Sequence, residues 1–139
     1  MQRGHFLESE LDRVIEYLNS IGVHGHKNHA RRTVDGTYLE GEPFDYEVLV
    51  DGVLHCFDAK ESKTDKWALS NAKPLQVKHL QNCKKHGAEA YFLVYFASRR
   101  KLKRFDVDVV IEEMKNKSYL TPDKGGDWDW TELRPSKKK

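Results

Sequence analysis

The chain has 139 residues and a mass of 16.2 kDa, the length of one ordinary domain, able to bury about two thirds of the surface its unfolded form exposes. Hydrophobic residues make up 38% and charged residues 33%, with a net charge of +2 and a mean hydropathy of −0.78. Apolar runs and aromatics exclude a disordered chain, the lack of an apolar run near ~18 residues excludes a membrane helix, and Cys56 and Cys83 are too few for a cysteine-built zinc site or disulfide framework.

Residues 5–21 predict an amphipathic helix. Phe6, Leu7, Leu11, Val14, Ile15, Leu18 and Ile21 recur at three- and four-residue spacing, and Gly22 supplies the stop. Residues 23–42 are polar and glycine-broken, with room for one short strand and a loop. Two strand patterns follow over 44–50 and 53–59, joined by Asp51-Gly52, a strong two-residue hairpin signal. Residues 61–71 read as a loop carrying Trp67. A second helix starts near Pro74 and ends at His86 before Gly87. The apolar run 90–97 predicts a strand buried on both faces. A more exposed strand covers 101–107, and Asp108 caps a short helix over 109–117. The last twenty residues carry little pattern. The order is helix, hairpin, helix, strand, strand, helix, an α/β domain with a mixed central β-sheet flanked by helices. One domain spans 1–139, with a core of about 3–117 and a basic tail at 137–139.

Charge is unevenly spread. Residues 60–86 hold seven Lys and two acids, 99–104 hold five bases in six positions, and 106–132 hold eight acids against three Lys. A basic middle fits a polyanion, while a solvated surface would look the same.

The hairpin allows a geometric inference. With Asp51-Gly52 as the turn, Asp45 lies directly opposite Asp58, and strand alternation puts Lys60 on the same face. At ~5 Å and an effective dielectric near 20, two carboxylates repel by roughly 3 kcal/mol. A bridging divalent cation or a shared proton relieves the repulsion, and carboxylates with waters suit Mg²⁺ or Mn²⁺. The plainer alternative is an Asp58–Lys60 ion pair with Asp45 turned to solvent.

Pro43-Phe44-Asp45 followed by Asp58-Ala59-Lys60 across the hairpin resembles the signature of PD-(D/E)XK nucleases. With Arg3-Gly4-His5-Phe6-Leu7-Glu8 before it, Phe57 and Glu61 flanking it, and Leu75-Gln76-Val77-Lys78-His79-Leu80 after it, the chain resembles RecU-type Holliday junction resolvases over about residues 3–115. Archaeal Hjc-like resolvases share this size and core. RecU-type enzymes usually carry Glu where Asp58 stands, and residues 23–42 match them poorly. The resemblance implies a restriction-endonuclease-like core and a Mg²⁺-dependent endonuclease (Mn²⁺ substituting) that resolves four-way DNA junctions. It implies a cytoplasmic homodimer acting on branched DNA, with neither a membrane nor a small molecule as partner. Asp45, Asp58 and the Ala59 carbonyl would ligate the metal, and Glu8 would reach it directly or through water. Lys60 would orient or help deprotonate the attacking water, and Gln76 would support the site from the second helix.

From the residues alone, Gln76 shares a helical stripe with Leu80 and Cys83. It therefore faces either the site or its own backbone. Arg31, Arg32, Lys63, Lys66, Lys73, Arg99, Arg100, Lys101, Lys103 and Arg104 are the candidate phosphate contacts. His24, His26 and His29 lack a framework for zinc. Trp67 can stack on a base or pack its own loop. The first helix and the 90–97 strand are the most apolar candidates for a dimer interface. Two other functions fit the same residues: a PD-(D/E)XK nuclease acting on duplex or flap DNA, and a basic DNA-binding module without catalysis.

Overall fold

The computed structural model describes residues 5–28, 31–32, 38–39 and 44–136. In chain order the elements are α1 (His5–Ser20), β1 (His24–Lys27), β2 (Arg31–Arg32), β3 (Tyr38–Leu39), β4 (Tyr46–Val50), β5 (Val53–Ser62) and β6 (Trp67–Ala68). Then come α2 (Pro74–Lys85), β7 (Glu89–Phe96), β8 (Lys101–Asp106), α3 (Val107–Met114), β9 (Tyr119–Leu120) and β10 (Gly126–Asp127).

Six strands form the main sheet in the order β1-β4-β5-β7-β8-β10. β5 and β7 run parallel, with α2 as the crossover between them, and the other neighbours are antiparallel. The β4–β5 hairpin has the register its turn predicts, Val50 opposite Val53 and Tyr46 opposite Phe57. Asp51 (φ 53°) and Gly52 (φ 80°) both take the left-handed conformation that a two-residue turn needs to match strand twist.

Hydrophobic layers cover both sheet faces. On one, α1 lays Leu7, Leu11, Ile15 and Leu18 over Val48, Phe57, Tyr91 and Leu93. Tyr46, Phe57 and Tyr91, partners across three adjacent strands, stack at 5.3 and 5.2 Å between ring centres. On the other, Leu80 of α2 and Val107 and Val110 of α3 pack with Cys56, Phe92, Val94 and Phe96. Burying each such side chain contributes roughly 1.5–3 kcal/mol. The alternation of β5 thus decides where the chemistry sits: Asp58 and Lys60 share the face of Cys56, toward α2.

Several expectations change. β5 continues to Ser62 instead of ending at residue 59, because it pairs with β7 as far as Phe96. Trp67 is not a loop side chain: it is 1% exposed, stacked near Phe92 and Phe105. The third helix starts at Val107, one residue before Asp108, and Asp106 at its start bonds Arg104 instead of capping it. The 90–97 run cannot be a dimer interface, since β7 is paired on both edges and fills both cores. The C-terminal segment completes the fold: Trp128 and Leu133 join the α1 layer, and a side chain on Gly125 would strike Phe105 and the Arg104 carbonyl. No helix is long and apolar enough to cross a membrane among the described residues.

Candidate active site

β4 and β5 bring three of the expected side chains together. The β4–β5 ladder ends at Tyr46–Phe57, so Asp45 stands one step further, opposite Asp58. Asp45 is not turned to solvent: its Oδ2 accepts the Ala59 N–H at 3.1 Å. Asp58 is 1% exposed. Its Oδ2 lies 3.0 Å from Lys60 Nζ, and its Oδ1 is buried without a hydrogen-bond partner. A buried carboxylate oxygen left bare costs free energy unless something cationic or protic meets it.

The electrostatics follow from this crowding. Burial, and next the charge of Asp58, push Asp45 up to about 7 from 3.8, against the pull of the Ala59 N–H and Lys60. Asp58 is also raised, chiefly by burial, with Lys60 opposing. Glu8 on α1 is raised by burial and then by the charge of Asp45, which places it within electrostatic reach of the pair. Its Oε1 is 3.6 Å from Lys27 Nζ. Among the described residues no three His, Cys, Asp or Glu side chains are set to hold a metal by themselves. The side-chain donors present are two facing carboxylates, Asp45 and Asp58, hard oxygen ligands whose chemistry fits Mg²⁺ or Mn²⁺ and not zinc.

A family model for recombination protein U (RecU) matches residues 2–121. The chain belongs to this family. A solved structure of Hjc, a Holliday junction resolvase from the archaeal hyperthermophile Archaeoglobus fulgidus, superposes with a TM-score of 0.55 at 17% identity, covering 86% of this chain and 94% of that one. The two chains accordingly share a fold, a mixed central β-sheet flanked by helices. No curated protein matches the sequence.

The remaining expected residues divide. Gln76 takes the backbone-bonded alternative: its Oε1 accepts the Lys73 N–H at 3.1 Å and caps α2. Its amide N–H groups are not used in that bond. Lys63, Lys66 and Lys73 are exposed beyond β5, and Arg99, Arg100 and Lys101 are exposed at the β7–β8 turn, Arg99 3.2 Å from Asp65. Lys103 and Arg104 leave the basic patch. Lys103 Nζ is 2.7 Å from Asp127, while Arg104 bonds Glu89 and Asp106 and lies 3.9 Å over the Tyr91 ring. Only the backbone of Arg31 and Arg32 is described; Pro43, His29 and the tail 137–139 lie outside the described residues. His24 bonds Glu47 at 3.3 Å.

Two further residues hold the site in place. Glu61, next to Lys60 but on the opposite face, accepts the Leu7 N–H at 2.6 Å and so ties the start of α1 to β5 beside Glu8. A carboxylate suits a helix N-terminus, where free N–H groups and the dipole favour negative charge. Asn28 donates from its amide to the Phe44 carbonyl and from its backbone to the Asp45 carbonyl, both at 2.7 Å. It pins the segment that presents Asp45. In the sequence, Asn28 is hidden inside a histidine-rich stretch, and Glu61 enters only as a residue flanking Asp58-Ala59-Lys60.

Proposed function

We propose that this protein is a divalent-metal-dependent endodeoxyribonuclease that nicks branched DNA, four-way junctions in particular, by phosphodiester hydrolysis, working as a homodimer in the cytoplasm. The observation that carries the reading is the bare, buried Oδ1 of Asp58 beside the Asp45 carboxylate and Lys60. Family membership and the likeness to an archaeal Holliday junction resolvase support the substrate class.

In this reading Asp45, Asp58 and the Ala59 carbonyl would hold Mg²⁺, with Mn²⁺ as substitute, and Glu8 would reach it directly or through water. When bound, such an ion would supply Lewis acidity and charge neutralisation at the scissile phosphate. Lys60 orients the attacking water and offsets the negative charge that gathers on phosphorus, where a preorganised cation in a partly buried site is worth most. Gln76 supports the site from α2 with its amide group, whose N–H groups are left over from the cap. Arg99, Arg100, Lys101, Lys63, Lys66 and Lys73 meet flanking phosphates. Two sites on one junction are needed for paired nicks, and a C₂ dimer provides them.

The test is nicking of a labelled four-way junction, a flap and a linear duplex, each with Mg²⁺ or EDTA, by wild type and Asp58→Asn. Metal-dependent nicking of the junction that Asp58→Asn abolishes is expected. Preference for flap or duplex would replace the substrate, and no metal-dependent cleavage of any DNA would remove the enzyme.

A further inference from the structure

Beyond β5 the chain builds a surface of which the reaction above uses only Lys66. Ser62 shares the strand face of Asp58 and Lys60, and its hydroxyl donates to the Lys66 carbonyl at 2.6 Å. β6 follows and pairs with β9, setting Ala68 opposite Tyr119 and Trp67 opposite Leu120. Trp67 and Leu120 are buried, so alternation turns Tyr119 outward, where it is 42% exposed. Lys66 Nζ lies 4.8 Å over its ring. Tyr119 separates two adjoining hollows of about 590 and 450 Å³, one reached by Lys66 and Lys117, the other by Lys117 and Lys124. Two acids in this region are paired, Glu113 with Lys117 at 3.2 Å and Asp65 with Arg99 at 3.2 Å, while Asp123 accepts from the Thr121 hydroxyl and keeps its charge.

We infer that Tyr119 is a stacking platform for an unpaired nucleotide of the DNA strand, with Lys66 and Lys124 holding its flanking phosphates. This rests on the proposed nuclease function and adds to it a subsite outside the reacting groups. An exposed aromatic ring among lysines is the combination that binds single-stranded nucleic acid, the ring taking a base and the ammonium groups the backbone. The location fits. Lys60 and Ser62 are about 6.6 Å apart along the strand, and the Ser62 hydroxyl holds the Lys66 end of the platform, so the chain leads from the reacting face directly to the ring. A duplex buries its base faces, so the platform selects DNA that is open beside the cut, as at a branch point.

The experiment measures binding in EDTA, so that cleavage does not enter. Fluorescence anisotropy of a labelled oligothymidylate and of a four-way junction is followed for wild type, Tyr119→Phe and Tyr119→Ala. Tyr119→Phe should bind the oligothymidylate like wild type, and Tyr119→Ala about 5- to 150-fold more weakly, the range of one base–aromatic stack. Photocrosslinking of the unmutated chain to 5-iododeoxyuridine oligonucleotides should map to Tyr119, a readout independent of how the variants fold. Equal binding by Tyr119→Ala, or crosslinks that all map elsewhere, overturns the platform. Nicking is scored separately: if wild type nicks the junction while Tyr119 proves irrelevant, the platform alone falls. If Tyr119-dependent binding is found without nicking, the platform stands and the nuclease falls.

Discussion

Asp45→Asn removes one of two facing carboxylates while keeping an oxygen that can accept the Ala59 N–H. In the fold Asp45 sits at about 7 instead of 3.8, first through burial and then through the charge of Asp58. A raised value means that the folded protein holds this proton more tightly than the unfolded chain does. The resulting stability is full below about pH 4 and is lost as pH rises through 7. At about 1.36 kcal/mol per pH unit, the loss is at most about 4 kcal/mol. Coulomb's law gives a similar size, roughly 3 kcal/mol for two carboxylates ~5 Å apart at an effective dielectric near 20. Lys60, 3.0 Å from Asp58, offsets part of it. Asp45→Asn should therefore be more stable than wild type by about 1–3 kcal/mol above pH 7, or about 4–12 °C in Tm for a chain of this size. The gain should vanish near pH 4, where wild-type Asp45 is protonated in the fold. Added Mg²⁺ should narrow or invert the difference at high pH, because only wild type keeps both carboxylates to bind it. Thermal melts at pH 4, 6 and 8 in EDTA, and at pH 8 with Mg²⁺, test this. A variant no more stable than wild type at pH 8 in EDTA, or equally stabilised at every pH, would refute the claim that the two carboxylates oppose each other.

Lys60→Ala should reduce nicking by at least 10²-fold while leaving Mn²⁺ binding in calorimetry within a few-fold, since an ammonium is not a ligand. Glu61→Ala should lower stability by about 1–2 kcal/mol through loss of the carboxylate on the Leu7 N–H, and it should reduce nicking further by releasing Glu8; a melt and a nicking rate unchanged from wild type would return Glu61 to the surface. Replacing Arg99, Arg100 and Lys101 together with Ala should flatten the slope of log K against log salt by up to about 2.7, at roughly 0.9 per lost phosphate contact, and an unchanged slope would leave this turn merely solvated. Light scattering should give a mass near twice 16.2 kDa; a strict monomer, alone and on a junction, would remove the paired-nick part of the reading.

Where local rules act, the sequence by itself determined the outcome. Asp51-Gly52 sets a two-residue turn, the turn sets the register, and the period of two puts Asp45, Asp58 and Lys60 on one face. The spacing of Leu7, Leu11, Ile15 and Leu18 likewise set the buried side of α1. What only the tertiary structure decided depends on partners distant in the chain, for which a single sequence carries no mark. Glu61 meets Leu7 across 54 positions, Asn28 meets Phe44 across 16, and Lys103 meets Asp127 across 24. Trp67 became a core residue because β9 arrives to pair with β6, and that same pairing turned Tyr119 outward. Gln76 had two local options, and capping α2 prevailed with the Lys73 N–H within reach. Helices and hairpins satisfy their backbone within a short stretch and so can be read from it. Strands of two residues, ion pairs and caps between elements exist only once the core has brought those elements together.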